Sequence, residues 1–350
     1  MGETLVFTAP RTIQAEAYDE KPLQPDEVRL ATLYSGISAG TQLTAYRGTN
    51  PMVSKRRNPE SNLFEARTDY APLYPIKGCW AYEEVGKVVE AGSGVTTIRI
   101  GDIVYGAWGH KSTHVTNEAY AREHRLPEGL DPVVGIYSQM GAIALNAVLD
   151  ANIHVGETVA VFGQGVPGQI AAQLVRLNGG SVIVVDVDDY RLDVARKLGA
   201  DIVLNSGSCD AAKEIKKLTG NRGADVAIDF SGFYPALHEA IRSCAYNGRV
   251  VSAGFYQGEG AGLYLGEEFH HNRIQVICSQ IGGIAPELSH RWDRLRLEKT
   301  VFRLVQEGKL RLQELITHVV PFRDGKRAYQ MLDQRTEPGL QVVLAFDQAT

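Results

Sequence analysis

Three glycines near the middle of the chain have the spacing of a phosphate-binding turn. Gly163, Gly165 and Gly168 follow a short apolar run and precede a segment of helical periodicity. In a G-x-G-x-x-G pattern the first glycine permits a tight turn, the second lets backbone approach a pyrophosphate, and the third packs helix on strand. The helix begins near Val166 and Pro167, and the unpaired N–H groups of its first turn would face the phosphates. The spacing therefore predicts a bound dinucleotide.

A carboxylate at the end of the next apolar run distinguishes between dinucleotides. Asp186 stands near the offset of roughly 20 residues at which an acidic side chain hydrogen-bonds the ribose diol of NAD. A 2′-phosphate would meet Asp186, Asp188 and Asp189 before the first cation, Arg191, and such like-charge contact is unfavourable. Because strand, glycines, helix, strand and acid occur in this order, we predict an NAD site rather than a glycine turn without a ligand.

The composition is that of a globular protein with more than one domain. A chain of 350 residues is long for one core, and a net charge of −5 gives no reason to expect nucleic acid or an acidic membrane as a partner. No apolar run approaches the roughly 20 residues of a membrane span, and the N-terminus lacks a signal-peptide pattern. The cysteines are far apart in the sequence, which favours reduced thiols and predicts a cytoplasmic protein.

The elements that must position these residues change in character along the chain. The first third reads as short strands with glycine-marked turns. From 141 to 283, apolar strands alternate with helical segments, which is typical of a doubly wound parallel sheet. Later strands end at Ser231, at Gly254 with Phe255, and at Gln280. Since ligands bind beyond the carboxyl ends of such strands, we expect these residues to line a cofactor crevice.

Three sequence segments, together with this order of strands and helices, resemble the medium-chain dehydrogenase/reductase family along essentially the whole chain. The segments are 156–163, 197–201 and 316–322. The resemblance implies an α/β fold in which a Rossmann NAD-binding domain, 140–283, interrupts a β-rich GroES-like catalytic domain, 1–139 and 284–350. It also implies a homodimer and an active site in the cleft between the domains.

Two segments depart from the zinc alcohol dehydrogenases of that family. The stretch that corresponds to their cysteine ligand has Ser38 and Ala39 instead, and Tyr82 stands at their histidine ligand. The closely spaced cysteines of a structural zinc site are also missing from the sequence. Catalytic zinc needs three protein ligands and structural zinc four, so we expect no metal. These segments and 267–273 resemble a subgroup that contains bacteriochlorophyllide dehydrogenases and sugar or cyclitol dehydrogenases.

Hydride transfer from an alcohol requires a proton acceptor and a group that stabilises the developing alkoxide. The resemblance aligns Thr41 with the family's relay hydroxyl and places Tyr82 toward the substrate, so this pair is our acid/base hypothesis. A tyrosine with a pKa of about 10 is a poor base unless a cation such as Lys77 or a histidine lies beside it. Alternatively, Tyr82 fills the volume of the lost metal with its hydroxyl bonded to backbone. Glu83 matches the glutamate beside the metal site and is expected to organise the cleft.

Histidines are the other acid/base candidates, because their ordinary pKa suits proton transfer. Either His270 or His271 is a catalytic candidate, with His270 as our choice, or both are interface histidines. His110 and His114 have the spacing of a metal pair on a helix, but the glycines near them predict a solvated loop.

An insertion between the catalytic segments carries a run of cations that includes Arg56 and Arg57. An arginine fork can bind a carboxylate or phosphate with two hydrogen bonds. The alternative is a solvated charged surface. We assign these two arginines to the substrate site together with Ser38 and Gln280.

The sequence therefore predicts an NAD-dependent, zinc-independent alcohol dehydrogenase. Its substrate would be a small-molecule alcohol, a sugar, cyclitol or related biosynthetic intermediate whose secondary hydroxyl becomes a ketone, or the reverse. Neither nucleic acid nor a membrane is an expected partner. One alternative is an epimerase or lyase that oxidises its substrate transiently, and another is a regulatory protein that binds NAD without chemistry. A quinone or enoyl reductase usually prefers NADPH, which the acidic second strand disfavours.

Overall fold

The structure, a computed structural model, describes residues 1–67 and 73–347. Its α-helices are α1 (Ala39–Arg47), α2 (Glu118–Glu123), α3 (Ser138–Asp150), α4 (Val166–Leu177), α5 (Asp189–Lys197), α6 (Ala211–Leu218), α7 (Tyr234–Ser243), α8 (Arg294–Gln306) and α9 (Gly325–Gln334). Its strands are β1 (Gly2–Ala9), β2 (Thr12–Tyr18), β3 (Glu27–Ile37), β4 (Lys55–Arg57), β5 (Phe64–Ala66), β6 (Ile76–Lys77), β7 (Glu84–Ala91), β8 (Ile103–Gly106), β9 (Thr113–Asn117), β10 (Thr158–Phe162), β11 (Ser181–Asp186), β12 (Ile202–Asn205), β13 (Ala224–Asp229), β14 (Cys244–Ser252), β15 (Gln275–Cys278), β16 (Ile316–Pro321) and β17 (Gln341–Ala345).

The chain divides into two compact units, and the second boundary differs from the one expected. The first unit is Met1–Tyr137 with the C-terminal segment from Ile316, and the second is Ser138–Leu315. We expected the return segment to begin at 284, but α8 lies with the second unit. The reason is packing: Val301 of α8 is fully buried, and a Cβ added to Gly141 of α3 would lie 2.6 Å from its side chain.

The second unit contains a six-stranded parallel sheet in the order β12-β11-β10-β13-β14-β15. This is the strand order of a Rossmann fold, in which the chain reverses direction across the sheet at its first strand. Residues 159–162 of β10 are buried, as expected for a parallel strand covered by helices on both faces. The α/β prediction is confirmed, and the carboxyl ends of β10, β11 and β13 lie at one edge.

The first unit is rich in strands, as predicted, and most of its strand pairs are antiparallel. One sheet has the order β16-β17-β3-β7-β8, with β9 paired to β3, and a smaller sheet has the order β2-β1-β6. The rings of Phe7, Tyr46 and Tyr329 pack together, with centroids 5.1 to 5.6 Å apart. This core holds β1, α1 and α9 together, and α1 follows β3 directly.

One apolar stretch is longer than the sequence led us to expect. Among the residues that the structure describes, Pro132–Asp150 is the helical segment with the length and mean hydropathy, 1.4, of a membrane span. Of that window, 83% is buried inside the protein. Burial of this kind is what the core helix of a folded domain shows, because its apolar side chains pack against other elements.

Candidate active site

The turn between β10 and α4 has the geometry that a phosphate group requires. Gly163 has φ +83°, in the left-handed region that favours glycine. A Cβ on Gly168 would lie 1.9 Å from the carbonyl oxygen of Gly163, so the close packing of helix on strand excludes a side chain. A Cβ on Gly165 would meet nothing within 4 Å. Two glycines are therefore required by the fold, and Gly165 borders open space that a pyrophosphate can enter.

The first turn of α4 offers donors to an anion. Gly165 is its N-cap residue and provides no side-chain hydrogen bond to the helix. Val166 begins the helix, and Pro167 lies in its first two positions, where a missing N–H has little cost. The remaining N–H groups of this turn point out along the helix axis. The residues present therefore fit a dinucleotide phosphate.

Asp186 lies beside this turn, and backbone groups hold its carboxylate. Its Oδ2 accepts from the backbone nitrogen of Gln164 at 2.5 Å, and its Oδ1 accepts from those of Val187 at 2.8 Å and Asp188 at 3.0 Å. A carboxylate has about four acceptor positions, so capacity remains for a ribose hydroxyl. Arg191 lies 3.9 Å from Asp186 and 3.7 Å from Asp188. The nearest cation is thus already paired with two carboxylates.

The predicted residues Ser231, Gly254 and Phe255 lie at the carboxyl ends of β13 and β14. A Cβ on Gly163 would lie 2.7 Å from the backbone nitrogen of Ser231, so this strand end borders the glycine turn. A Cβ on Gly254 would lie 2.4 Å from the backbone nitrogen of Gly232. The side chain of Phe255 is 48% exposed. The structure therefore brings the predicted cofactor residues of three strands to one edge of the sheet.

Asp229 belongs to the same edge and was not predicted. Its backbone oxygen accepts from the nitrogen of Ala253 at 2.9 Å. Its carboxyl group accepts from the nitrogen of Ser231 at 2.8 Å and from the hydroxyl of Tyr256. Burial raises the pKa of Asp229 to about 6, although these hydrogen bonds lower it. The sequence did contain a signal, an aspartate that ends an apolar run, which is the pattern that identified Asp186.

In the first unit, three hydroxyl groups from two segments meet. The hydroxyl oxygen of Tyr82 lies 2.5 Å from that of Ser38, and Tyr82 donates to the hydroxyl of Thr41 at 3.1 Å. Ser38 is the N-cap residue of α1, and Thr41 lies in the first turn of that helix. The structure therefore brings the predicted pair together and adds Ser38. The hydroxyl of Tyr82 bonds side chains, not the backbone group of the alternative hypothesis.

Burial, with the charge of Glu83 as the next cause, raises the pKa of Tyr82 to about 12. The hydrogen bonds from Ser38 and Thr41 lower the pKa but do not offset the burial. Lys77, the cation we considered, has an exposed side chain. At neutral pH Tyr82 is therefore a neutral hydroxyl that donates a hydrogen bond, and tyrosinate is a minor species.

Two adjacent glutamates are fully buried beside this cluster. Glu83 accepts from the side-chain amide of Gln341 at 3.1 Å, and burial together with Glu84 raises its pKa well above the usual range. Burial raises the pKa of Glu84 to about 7, although its hydrogen bonds with the hydroxyl of Ser35 and the backbone of Trp108 lower it. The resemblance pointed to Glu83, and Glu84 was missed because nothing in the local sequence shows that its side chain points inward.

The expectation of a solvated loop at His110 and His114 is wrong. His110 is fully buried, and the ring of His114 stacks on Trp108 with centroids 5.1 Å apart. Burial lowers the pKa of His110 to about 3 and that of His114 to about 4. Gly109, with φ +82°, packs its Cα against Gly78, since a Cβ there would lie 2.9 Å from that atom. This close approach turns the loop inward.

The remaining candidates lie on exposed segments. His270 follows the turn Leu265–Phe269 in the second unit, and its ring meets that of His271 edge-on at 5.1 Å. Gln280, also exposed, accepts from the backbone nitrogen of Gly282 at 2.6 Å. These residues keep their place as candidates, but no bond among them identifies a catalytic group.

Arg56 and Arg57 lie on an exposed hairpin formed by β4 and β5. Arg56 stands opposite Glu65 in the register, whereas Arg57 points to the other face. Asn50 anchors the hairpin to α1, since its side chain donates to the hydroxyl of Thr44 at 2.8 Å. Within α1, that hydroxyl donates to the backbone oxygen of Thr41 at 2.7 Å. The hairpin is thus tied to the helix that carries the hydroxyl cluster.

The donor atoms around Tyr82 do not fit a zinc ion. Zinc in proteins takes thiolate, imidazole or carboxylate ligands, whereas Tyr82 is bonded to two aliphatic hydroxyls, and the pKa of each neighbouring glutamate is raised. Within residues 1–67 and 73–347, the one group of three histidine or acidic side chains with donor atoms close enough for a metal lies in the second unit: His238, Glu267 and Glu268.

Comparison with known proteins decides the family. D-guloside 3-dehydrogenase of Escherichia coli (strain K12) is 34% identical over 347 residues, which is 98% of this chain and 99% of that protein. This chain belongs to the medium-chain dehydrogenase/reductase family. Residues 167–296 also match the family model described as zinc-binding dehydrogenase. The family makes the protein an oxidoreductase of the alcohol dehydrogenase type, with a small-molecule alcohol as substrate and a nicotinamide cofactor.

Solved structures of the family share the fold. The 2R,3R-butanediol dehydrogenase of Bacillus subtilis superimposes with a TM-score of 0.78 at 22% identity over 99% of both chains. A proposed zinc-binding dehydrogenase of Sinorhizobium meliloti 1021, solved with bound NADP, has a TM-score of 0.76 at 20% identity and covers 99% of both chains. At these identities the likeness shows the fold alone, so the choice between NAD and NADP depends on this chain's own residues.

Proposed function

We propose that this dehydrogenase is NAD-dependent and zinc-independent, and that it interconverts a secondary hydroxyl and a ketone on a sugar, glycoside or cyclitol. The observation that carries the proposal is the hydroxyl cluster, in which Ser38 and Tyr82 stand where the resemblance expects zinc ligands and Thr41 stands at the relay hydroxyl. The guloside activity of the E. coli relative supports a glycoside as substrate. A polyhydroxylated substrate also suits a site that presents hydroxyl groups, because each can donate and accept.

The cluster defines a direction for proton movement. When bound, a nicotinamide cofactor would accept or supply the hydride that the alcohol carbon loses or gains. Because Tyr82 donates to Thr41, the proton of the Thr41 hydroxyl is available to the substrate oxygen. During ketone reduction Thr41 gives this proton to the alkoxide and takes the proton of Tyr82. The hydroxyl of Ser38 then donates to the tyrosinate and stabilises it.

Oxidation reverses these steps and requires tyrosinate as the initial proton acceptor. Tyr82 has a pKa of about 12. Below that pH, the fraction of tyrosinate increases about tenfold with each rise of one pH unit. We therefore propose that alcohol oxidation accelerates with increasing pH, whereas ketone reduction does not. This difference separates a tyrosine mechanism from one that uses a histidine with an ordinary pKa.

The proposal of NAD depends on Asp186 and Arg191. Asp186 offers a ribose diol an acceptor, and a 2′-phosphate would lie against its charge. Arg191, which could otherwise bind that phosphate, is paired with Asp186 and Asp188. We expect kcat/KM for NAD to exceed that for NADP by at least about tenfold. An equal or greater value for NADP would contradict this part of the proposal.

We also propose a homodimer in the cytoplasm. Strand β15 is the last strand of its sheet, and exposed Val276 lies on it, so its outer edge can pair with a second copy. The exposed thiol of Cys278 fits a reducing compartment. Light scattering of the purified protein measures the mass directly, and a monomer at micromolar concentration would contradict the dimer.

A substrate panel tests the function. The protein is incubated with NAD and a series of glycosides, free sugars and cyclitols, NADH is followed by absorbance, and the product is identified by mass spectrometry after reduction with borodeuteride. The expected result is one ketone at a single ring position of a glycoside or cyclitol. If only simple primary alcohols are oxidised, the substrate class is wrong. An epimer that forms without net NADH and carries no deuterium would identify transient oxidation.

A further inference from the structure

A chain of buried polar side chains extends through the first unit. The carboxyl group of Glu84 lies 2.7 Å from the hydroxyl of Ser35, which lies 2.6 Å from Nδ1 of His110. On the other side of the ring, Nε2 lies 3.0 Å from Oε1 of Gln42 and 2.9 Å from the hydroxyl of Tyr329. The hydroxyl of Tyr329 donates to the same oxygen of Gln42. All five side chains are fully buried, so water cannot complete their hydrogen bonds.

The number of protons in this chain fixes the direction of each hydrogen bond. Tyr329 uses its one proton on Oε1 of Gln42, so the bond between that oxygen and Nε2 of His110 requires a proton on Nε2. Burial lowers the pKa of His110 to about 3, and the ring is therefore neutral with one N–H. Its Nδ1 must then accept the proton of Ser35. Ser35 has no second proton for Glu84, so the carboxyl group itself must be the donor.

The opposite arrangement is also self-consistent, but it differs at both ends of the chain. If Glu84 is ionised, Ser35 donates to it, and Nδ1 of His110 carries the proton and donates to Ser35. Nε2 is then an acceptor, and the amide of Gln42 must turn its nitrogen toward the ring. In the structure the oxygen of Gln42 faces the ring, as the protonated form of Glu84 requires. The side-chain nitrogen of Gln42 then has no hydrogen-bond partner among the described residues, so no hydrogen bond of that nitrogen opposes the turn of the amide that ionisation of Glu84 requires.

Several charged or titratable groups face Glu84 from the elements around it. Glu83 precedes it, and its charge would disfavour ionisation of Glu84. Lys111 follows His110, and attraction between its ammonium group and Glu84 favours ionisation. Burial is the main cause that raises the pKa of Tyr82 and of Tyr329, and the charge of Glu84 adds to it in both. Backbone N–H groups of residues 108 and 109 donate to Oε2 at 2.7 and 3.2 Å.

Gln42 connects this chain to the hydroxyl cluster. It follows Thr41 in α1, and its backbone nitrogen donates to the backbone oxygen of Ser38 at 2.9 Å. The side chain of Gln42 therefore holds the first turn of α1 to the interior of the unit. If the hydrogen bonds of the Gln42 side chain change direction, the position of the first turn of α1 changes with them. This turn carries the hydroxyls of Ser38 and Thr41.

We propose that Glu84 is a positioning residue whose proton sets the tautomer of His110 and, through Gln42, the geometry of the first turn of α1. Loss of the proton reverses the chain of hydrogen bonds and loosens that turn. Burial places the pKa of Glu84 near 7, so the reversal falls within the ordinary working range of pH. The effect on turnover rests on the proposed role of the hydroxyl cluster, whereas the assignment of the proton does not.

The test is the tautomer of His110, read from ¹⁵N chemical shifts of the full-length protein labelled in histidine. Its signals are assigned by their loss in His110→Asn. In the wild type we expect the proton on Nε2 at about pH 6 and on Nδ1 at about pH 8.5. In Glu84→Gln the amide donates to Ser35 at every pH, so the proton should stay on Nε2 throughout. The ratio of kcat at the higher to that at the lower pH should increase in this variant.

The outcomes are distinct from failure of the proposed function. A proton on Nδ1 in the wild type at about pH 6, or a tautomer that does not change up to the higher pH, would overturn the proposal. If Glu84→Gln does not fold, Ser35→Ala interrupts the chain instead, and a tautomer change that persists in it would equally overturn the proposal. If Tyr82→Phe keeps full turnover while the tautomer changes as expected, the function proposed for the cluster fails and the proton assignment stands.

Discussion

The cofactor edge of the second unit and the hydroxyl cluster of the first unit are built in different ways. The cofactor edge is formed mainly by backbone groups. Gly163 adopts φ +83°, and the carboxylate of Asp186 accepts a hydrogen bond from a backbone nitrogen 22 residues earlier. In the hydroxyl cluster, side chains meet across longer separations, 41 and 44 residues for Tyr82 and 258 residues for Glu83 with Gln341. The binding part is local in sequence, and the reacting part is not.

Their electrostatics differ as well. Asp186 is held by three backbone N–H groups, which suit a carboxylate that remains available to a ribose. Burial raises the pKa of Tyr82, Glu83 and Glu84 in the other region. A buried acid that keeps its proton can donate a hydrogen bond, which an ionised acid cannot. We therefore expect conservative substitutions at the cofactor edge to change cofactor affinity, and those in the hydroxyl cluster to change the rate of proton transfer.

The largest effect is expected from Tyr82→Phe. Loss of its hydroxyl interrupts the path from Ser38 to Thr41, and kcat should fall by about 10²- to 10⁴-fold, with the affinity for NADH unchanged. Stopped-flow measurement of hydride transfer separates this step from product release. Tyr137→Phe is the matched control, because this buried hydroxyl has no hydrogen-bond partner among the residues that the structure describes. Equal losses in both variants would refute a specific role for Tyr82.

Two glycines of the cofactor turn should respond differently to alanine. A Cβ on Gly165 would meet nothing within 4 Å, so Gly165→Ala should leave the free energy of unfolding unchanged. The same substitution should raise the Kd for NADH at least about tenfold, because the methyl group would occupy the space that the pyrophosphate enters. A Cβ on Gly168 would overlap the carbonyl oxygen of Gly163, so Gly168→Ala should also lower the free energy of unfolding by about 1 to 3 kcal/mol. Urea unfolding and fluorescence titration measure the two quantities. Equal stability of the two variants would contradict the assignment.

Glu84 gives the first unit a pH-dependent stability. Because its pKa is raised from 4.5 to about 7, the folded state binds the proton more tightly than the unfolded state. Its contribution is complete below about pH 4.5 and is lost as the pH rises through about 7, a change on the order of 3 kcal/mol in the free energy of unfolding. Glu84→Gln should remove this dependence in urea unfolding experiments. Glu90→Gln, on an exposed glutamate of the same strand, should retain it, and a dependence unchanged in Glu84→Gln would count against the assignment.

The smallest effect is expected on the hairpin. Arg57 points away from the face on which Arg56 and Glu65 are paired, and exposed ion pairs contribute little. Arg57→Ala should raise the KM for a glycoside that carries a carboxylate by about two- to fivefold and leave the KM for the neutral glycoside unchanged. Arg56→Ala is the comparison, with a smaller change expected. An identical rise for neutral and acidic substrates would show that the hairpin does not bind anions.

The sequence was sufficient for the region whose signals are short in range. The spacing of the glycines and the acid at the end of β11 predicted the turn and its neighbours, because adjacent parallel strands must end at the same edge. The second boundary of the Rossmann unit was misplaced, since the packing of Val301 on α3 is a tertiary contact. His110 was expected in solvent because the glycines beside it are typical of loops, and only the close approach of Gly109 to Gly78 turns the loop inward.

The hydroxyl cluster was reached through resemblance, and its protonation could not be predicted at all. Tyr82 was proposed as a base that needs a cation, but burial and Glu83 raise its pKa. Glu84 carries no local signal, because the direction of its side chain follows from the register of β7 against β3. Such groups are identified only when their buried partners are known, since each pKa depends on contacts that are distant in sequence.

The most direct test of the central claim compares turnover before and after removal of metal. The protein is purified, its zinc content is measured by mass spectrometry, and kcat for the best glycoside is determined with and without prior dialysis against a strong chelator. The hydroxyl cluster predicts a zinc content far below one per chain and a kcat that is unchanged within about twofold. One zinc per chain, with activity lost on chelation and restored by zinc, would contradict the account.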